Sequence, residues 1–239
     1  MSVALALAGV NAFYGPSHVL FDLSLTVGEG TVTCLLGRNG AGKTTTIRTI
    51  MGLTPPRSGA ITFRGAPIAG LRPWQIFRLG MRLVPQGRGI FPALSVEENL
   101  RVAMLRAAVA DPAAELERVY GLFPRLAERR RQAGRTLSGG ELQMLAIARA
   151  LLGPTALVLM DEPSEGLAPL VIQSIRETLQ RIKAAGVTVV LAEQNVRLAL
   201  EVGDWHHIID DGRIRFSGPS RAILDNEEVK TVYLGLGNR

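Results

Sequence analysis

Three short segments carry the residue types that polyphosphate chemistry needs. Each occurs once, in a fixed order: Gly37-Arg38-Asn39-Gly40-Ala41-Gly42-Lys43-Thr44, then Leu137-Ser138-Gly139-Gly140-Glu141, then Leu157-Val158-Leu159-Met160-Asp161-Glu162. The first has the spacing G-x-x-x-x-G-K-[ST]. Gly37, Gly40 and Gly42 let the backbone wrap closely around phosphates, and the helix that follows points its N-terminal dipole at their charge. Lys43 adds a point charge toward the terminal phosphates, and Thr44 offers a hydroxyl to a magnesium ion. Arg38, Asn39, Ala41 and Thr45 are counted with them as nucleotide-binding residues. Asp161 follows four apolar residues, so its carboxylate is expected at the C-terminal end of a buried strand, where open α/β sheets bind ligands. That suits the second shell of a magnesium ion. Glu162 points to a different side, where it could polarise an attacking water. A structural alternative has this pair capping the helix region near Leu170.

The middle segment has two readings. Ser138 with Glu141 is a capping box and needs no ligand. Gly139 and Gly140 at a helix start also expose N–H groups to an anion, and the phosphate loop elsewhere in the chain favours a second phosphate contact.

The elements that must position these residues follow from periodicity. Val3 to Val10 reads as a strand. In His18 to Val27 the alternation of Val19, Phe21, Leu23, Leu25 and Val27 predicts one buried face. Thr31 to Leu36 leads into the phosphate loop, and Thr44 to Met51 continues as a helix that Gly52 and Pro55-Pro56 stop. Ile61 to Phe63 and Met81 to Val84 are short strands, the second turning at Pro85-Gln86-Gly87. From Gly87 to Gly153 the pattern becomes helical. Ser95 and Glu98 form a capping box before a helix over Asn99 to Ala107, a second helix covers Pro112 to Tyr120, and Leu142, Leu145, Ala148 and Leu152 recur at helical spacing. Strands return at Leu157 to Met160 and Val187 to Ala192, separated by a helix from Leu170 to Ala184. Asp211-Gly212 joins His207 to Asp210 and Arg213 to Phe216 as a hairpin. Alternating β and α elements imply an α/β fold with a mainly parallel sheet, an N-terminal β layer and an inserted helical lobe.

Bulk properties narrow the classes. The chain has 239 residues, 47% hydrophobic and 20% charged, without a repeat or low-complexity segment. Its longest apolar runs fall far short of the ~20 residues that span a bilayer. The apolar start lacks a basic region, so a cytoplasmic chain is expected. Cys34 is the single cysteine, which rules out an internal disulfide and reads as a small buried hydrophobe. The net charge of +6 includes Arg125, Arg129, Arg130, Arg131 and Arg135, a cluster that could meet an acidic partner or form a plain solvated face. No aromatic residues interleave with it as in single-strand binders.

The phosphate loop, Leu-Ser-Gly-Gly-Glu, Asp161-Glu162-Pro163 and Val84-Pro85-Gln86 together resemble the nucleotide-binding domain of ABC transporters, over essentially the whole chain. The resemblance implies a P-loop NTPase core with an antiparallel β subdomain and an inserted helical subdomain. It implies one ABC ATPase domain over 1–239: core at 1–86 and 154–219, helical subdomain at 87–153 and tail at 220–239. ATP and Mg2+ would be its cofactors. Two such domains would stack head to tail, so that Ser138 and Gly140 reach the γ-phosphate held by the partner. Tyr14 would stack on adenine, the alternative being a core aromatic. Gln86 would sense magnesium or the attacking water, and the segment Gln86 to Phe91 would face a transmembrane partner.

Longer strings, such as Asp161-Glu162-Pro163-Ser164-Glu165-Gly166-Leu167-Ala168-Pro169 and the closing Tyr233-Leu234-Gly235, resemble the LivF-type subgroup of branched-chain amino-acid importers. Urea and amide importer ATPases are similar. The implied assembly is a peripheral subunit at the cytoplasmic face of a bacterial inner membrane. It would work with a second ATPase, identical or related, two permease subunits and an external substrate-binding protein, without nucleic acid. The family usually presents histidine after the strand that ends near Ala192, and here Gln194 stands there. Glutamine can orient water or bond phosphate but cannot carry a proton at neutral pH. Ala168 replaces the usual aspartate and Leu142 a common glutamine. These departures keep open a regulatory subunit that hydrolyses ATP slowly. A soluble ABC-type ATPase acting on nucleic acid or ribosomes would usually carry a coiled-coil insertion or tandem domains, and neither is present.

Overall fold

The structure is a computed structural model that describes residues 2–105, 107 and 109–233. Leu234 and Gly235 of the closing triplet lie outside the described residues. The chain runs through β1 (Val3–Tyr14), β2 (Ser17–Gly28), β3 (Val32–Leu36), α1 (Lys43–Ile50), β4 (Ser58–Phe63), β5 (Ala66–Pro67), α2 (Pro73–Arg78) and β6 (Met81–Val84). An all-helical stretch follows: α3 (Val96–Met104), α4 (Pro112–Leu122), α5 (Pro124–Glu128) and α6 (Gly139–Ala150). It continues with β7 (Leu157–Asp161), α7 (Pro169–Ala184), β8 (Thr188–Glu193), α8 (Val196–Val202), β9 (Trp205–Asp210), β10 (Arg213–Gly218), α9 (Ser220–Leu224) and a π-helical turn at Val229–Tyr233.

The larger sheet has the order β10-β9-β3-β8-β7-β6, with β10 antiparallel to an otherwise parallel set. Its strands are apolar on both faces because both faces are covered. Cys34, Leu36, Val158, Met160, Val189 and Leu191 face the helical side. Leu35, Leu157, Leu159, Val190 and Ala192 face α1 and the second sheet. That second sheet, antiparallel in the order β2-β1-β4-β5, forms the N-terminal β subdomain. β6 and β7 are neighbours, so the helical insertion leaves the sheet at the end of one strand and returns to the start of the next. The result is an α/β fold with the layers expected from the sequence.

Register aligns the strand ends that matter. Leu36 lies opposite Glu193 and Ile208, Asp161 opposite Ala192, and Val84 opposite Met160, so the loops after β3, β6, β7 and β8 leave from one edge.

The expected single face of β2 is corrected. Leu23, Leu25 and Val27 are buried on alternation, but Leu20 is buried as well, with Val19 and Phe21 half-buried. Asp22 takes a positive φ of 48° and the pairing shifts between Val10 and Ala12, so an extra residue reverses the phase. The helix of the middle segment also stops at Ala150, leaving Leu152 beyond it but still buried.

The Asp211-Gly212 turn joins β9 to β10 as expected, with both residues at positive φ. It also reaches sideways. Gly212 N–H donates to Ala41 O at 2.9 Å, and Phe21 N–H donates to Gly212 O at 3.0 Å. A Cβ on Gly212 would lie 1.9 Å from Val19 O, so glycine is needed for this contact with β2. Among the described residues no helix is long and apolar enough to cross a membrane.

Candidate nucleotide site

The loop after β3 is shaped by its glycines. A Cβ on Gly37 would lie 2.4 Å from Ile209 O, and Gly40 and Gly42 take φ of 82° and 114°. The turn aims Lys43, the first residue of α1, back across the loop. Its Nζ donates to Gly37 O at 2.7 Å and Arg38 O at 2.9 Å, while the side chain is 3% exposed. Arg38, Asn39 and Gly40 are exposed, whereas Ala41, Gly42 and Thr45 are buried.

The end of β7 meets this loop from the side. Thr44 Oγ1 donates to Asp161 Oδ1 at 3.1 Å, and Glu162 Oε1 pairs with Lys43 Nζ at 2.9 Å. Burial pushes the Asp161 carboxyl above its ordinary value, with the Thr44 hydrogen bond and the Lys43 charge pulling the other way. Glu162 has φ +48°, which turns it out of the strand, and its N–H donates to Ala192 O at 2.9 Å. The helix-capping alternative for this pair does not match the geometry: α7 is preceded by Ala168 with no side-chain cap.

The remaining expected residues are placed as follows. Gln86 is exposed and its Nε2 donates to Glu165 Oε2 at 2.8 Å. Gln194 is exposed in the loop between β8 and α8. Tyr14 closes β1 at 43% exposure, which excludes the core-aromatic alternative. Ser138 caps α6: its Oγ accepts from Glu141 N–H, and Glu141 Oε2 accepts from Ser138 N–H at 2.8 Å. Gly139 and Gly140 begin that helix, and a Cβ on Gly140 would lie 2.8 Å from the Val171 side chain. Lys43, Thr44, Asp161 and Glu162 are thus joined in one cluster. Among the described residues no hydrogen bond or ion pair links Tyr14, Ser138, Gly139 or Gly140 to it.

Other clues resolve into buried packing residues and surface ion pairs. Cys34 and His206 are fully buried, His207 nearly so, and the Arg125 and Arg129 side chains pair with Glu128 and Glu141. Sequence reasoning missed Glu193, whose carboxylate accepts from Ser164 and Asn195. A signal was available, because Glu193 ends an apolar strand as Asp161 does.

The residues present fit a polyphosphate with a hard cation. The glycine loop leaves Gly40 open at positive φ, and Thr44 with Asp161 offers two hard oxygen donors. Among the described residues no cluster of three or more His, Cys, Asp or Glu could hold a metal ion by itself. Magnesium bound with a polyphosphate keeps waters and phosphate oxygens as most of its ligands, so the two oxygens of Thr44 and Asp161 are enough for the fit.

Compared with known proteins, residues 20–165 match the family described as ABC transporter. The chain is 42% identical to the high-affinity branched-chain amino acid transport ATP-binding protein BraG of Pseudomonas aeruginosa, covering 95% of this chain and 97% of that protein. It is 34% identical to a probable branched-chain amino acid transport ATP-binding protein LivF of Archaeoglobus fulgidus, again covering 95% and 97%. It is also 35% identical to the lipopolysaccharide export system ATP-binding protein LptB of Escherichia coli, covering 93% of each. A solved ATP binding subunit of an ABC transporter superposes with a TM-score of 0.83 at 30% identity, covering 97% of this chain and 96% of that one. The chain therefore belongs to the ABC transporter family, as an ATP-binding and ATP-hydrolysing transport subunit related to the branched-chain amino-acid transport ATPases.

Proposed function

We propose that this chain is a LivF-type subunit that energises import of branched-chain or related amino acids. The likeness to BraG over nearly the full length of both chains supports that substrate class. The chain acts as one ATPase domain, peripheral at the cytoplasmic face of a bacterial inner membrane. It pairs head to tail with a second ATPase, and two permeases connect it to an external binding protein. A groove of about 1020 Å³ between Trp74, Phe77, Pro85 and the α6 residues Ala146 and Arg149 offers the permeases a docking place beside Gln86.

The observation that carries the chemistry is the pairing of Lys43 with Glu162 beside Thr44 and Asp161. Lys43 and Glu162 neutralise each other across 2.9 Å. Phosphate held by the loop competes for Lys43, which leaves Glu162 as a proton acceptor. Glu162 then takes the proton of a water attacking in line, the bond to the γ-phosphate breaks, and ADP departs with the electron pair. Thr44 and Asp161 would hold magnesium, which supplies charge neutralisation on the phosphates when bound. The loop N–H groups and Lys43 stabilise negative charge that grows in the transition state. Gln86 and Gln194 orient water or phosphate by hydrogen bonding. Tyr14 stacks on the base. Ser138, Gly139 and Gly140 complete the partner's site.

The test is affinity purification of tagged Glu162→Gln from gently solubilised native membranes with ATP and magnesium. Multi-span permeases and a second ATPase are expected among the retained proteins. Ribosomes or nucleic acid without permeases would overturn the transport reading. In the purified complex Glu162→Gln should bind ATP without turnover.

A further inference from the structure

Glu193 is 2% exposed, and among the described residues no cation pairs with it. Its neighbours are donors from two loops. Oε1 accepts from Ser164 N–H at 3.0 Å, while Oε2 accepts from Ser164 Oγ–H at 2.9 Å and Asn195 N–H at 3.1 Å. Ser164 stands two residues after Glu162, and Asn195 directly follows Gln194. Beside Glu193 the β7–β8 ladder ends in a bond from Glu162 N–H to Ala192 O. Asn195 Oδ1 in turn caps α8 by accepting from Leu198 N–H, and Glu165 accepts from Gln86. The loops after β6, β7 and β8 are therefore fastened in series, with Glu193 at the junction nearest Gln194.

The chemistry of this junction calls for a carboxylate. Each carboxylate oxygen faces a backbone N–H that can only donate. A glutamine of the same shape has one oxygen and one NH2 group, so either orientation points NH2 at a backbone N–H. The site thus keeps an acid in a place where burial raises its carboxyl above the ordinary value. Packing alone would not select such a group.

We propose that Glu193 is a positioning residue that fixes the spacing of Glu162 and Gln194 by gripping Ser164 and Asn195. This rests on the hydrolytic reading of Glu162 above. The carboxylate does not touch the reacting atoms; it limits where the two loops can place the side chains that do.

The test is Glu193→Gln in the full chain, read by hydrogen–deuterium exchange without nucleotide, by nucleotide affinity and by turnover. Faster exchange in the loops after β7 and β8 is expected, with kcat down about tenfold or more and ATP affinity changed less than about threefold, the scale of lost bonds to a charged acceptor. On a Gln194→Ala background the same change should lower kcat by less than on the parent background, since the part of its effect that runs through Gln194 is already lost and only the part through Glu162 remains. Unchanged loop exchange with wild-type kcat would overturn the proposal. So would equal losses in affinity and kcat that add fully to those of Gln194→Ala, because that pattern belongs to general structural damage. Should Glu193→Gln fail to fold, Ser164→Ala removes only the hydroxyl rung and should loosen the loops and lower kcat, with Ser164→Thr restoring both. Wild-type behaviour of Ser164→Ala would then sink the idea. Glu162→Gln serves as the reference: turnover by that variant refutes the hydrolytic reading, whereas the exchange result bears on Glu193 alone.

Discussion

Lys43 and Glu162 show how a site can store its own counter-ion. Both side chains are almost fully buried, at 3% and 7% exposure, so each depends on the other while the loop holds no phosphate. Lys43→Ala strands the Glu162 carboxylate, and we expect a loss of roughly 3 kcal/mol in denaturant unfolding without nucleotide. Lys43→Ala with Glu162→Gln should recover most of that loss, while neither variant turns ATP over. Equal stability of Lys43→Ala and the parent chain would mean the pair is not coupled as drawn. Residues of this kind were legible in the sequence because the loop's spacing is a local requirement. Glu193 was passed over: its place at the end of an apolar strand was a signal, but its partner Ser164 lies 29 residues away, so that contact is not legible locally. Tyr14 and Gln194 were chosen by resemblance, and the geometry places both at exposed positions beside loops.

At the scale of elements, α6 and α7 meet where Gly140 has no room for a side chain. A Cβ there would press to 2.8 Å from Val171, and its φ is not in the left-handed region, so the constraint is space. Gly140→Ala should cost about 1–3 kcal/mol by overpacking, and Val171→Ala should relieve it in the double variant. Thermal melts of the three chains would read this directly. Helix starts were well signalled: the capping boxes at Ser95 and Ser138 both form with Glu98 and Glu141. Strand faces were less legible, because the bulge at Asp22 depends on Asn11 in the neighbouring strand, whose side chain bonds both the Asp22 carboxylate and N–H. The start of α8 was passed over although Asn195 is a ready N-cap, since its seven residues are too few to establish a period.

For the whole molecule, buried titratable groups set the pH range of stability. Burial in β9 pushes His206 down to about 4 from its ordinary 6.5, with the neighbouring His207 adding to the effect and Asp204 opposing it. A base held below its unfolded value contributes stability above 6.5 that is lost as pH falls toward 4. Between pH 7 and pH 5 this is a loss of about 2 kcal/mol. Asp161 and Glu193 have the opposite sign, because raised carboxyls take up protons more readily in the folded chain. Comparing the parent with His206→Gln removes their common contribution, and the variant should show the flatter decline; parallel curves would contradict the assignment. One more consequence concerns how the chain is made. The phosphate loop is synthesised before most of the sheet, yet the Asp211-Gly212 turn that braces Ala41 emerges only after β9. A nascent chain stalled after β8 holds every glycine of the loop but not its brace. Nucleotide affinity should therefore arrive only after that turn has left the ribosome, so a nascent chain stalled before it neither captures ATP nor recruits a partner, and binding to stalled chains of increasing length would time that step.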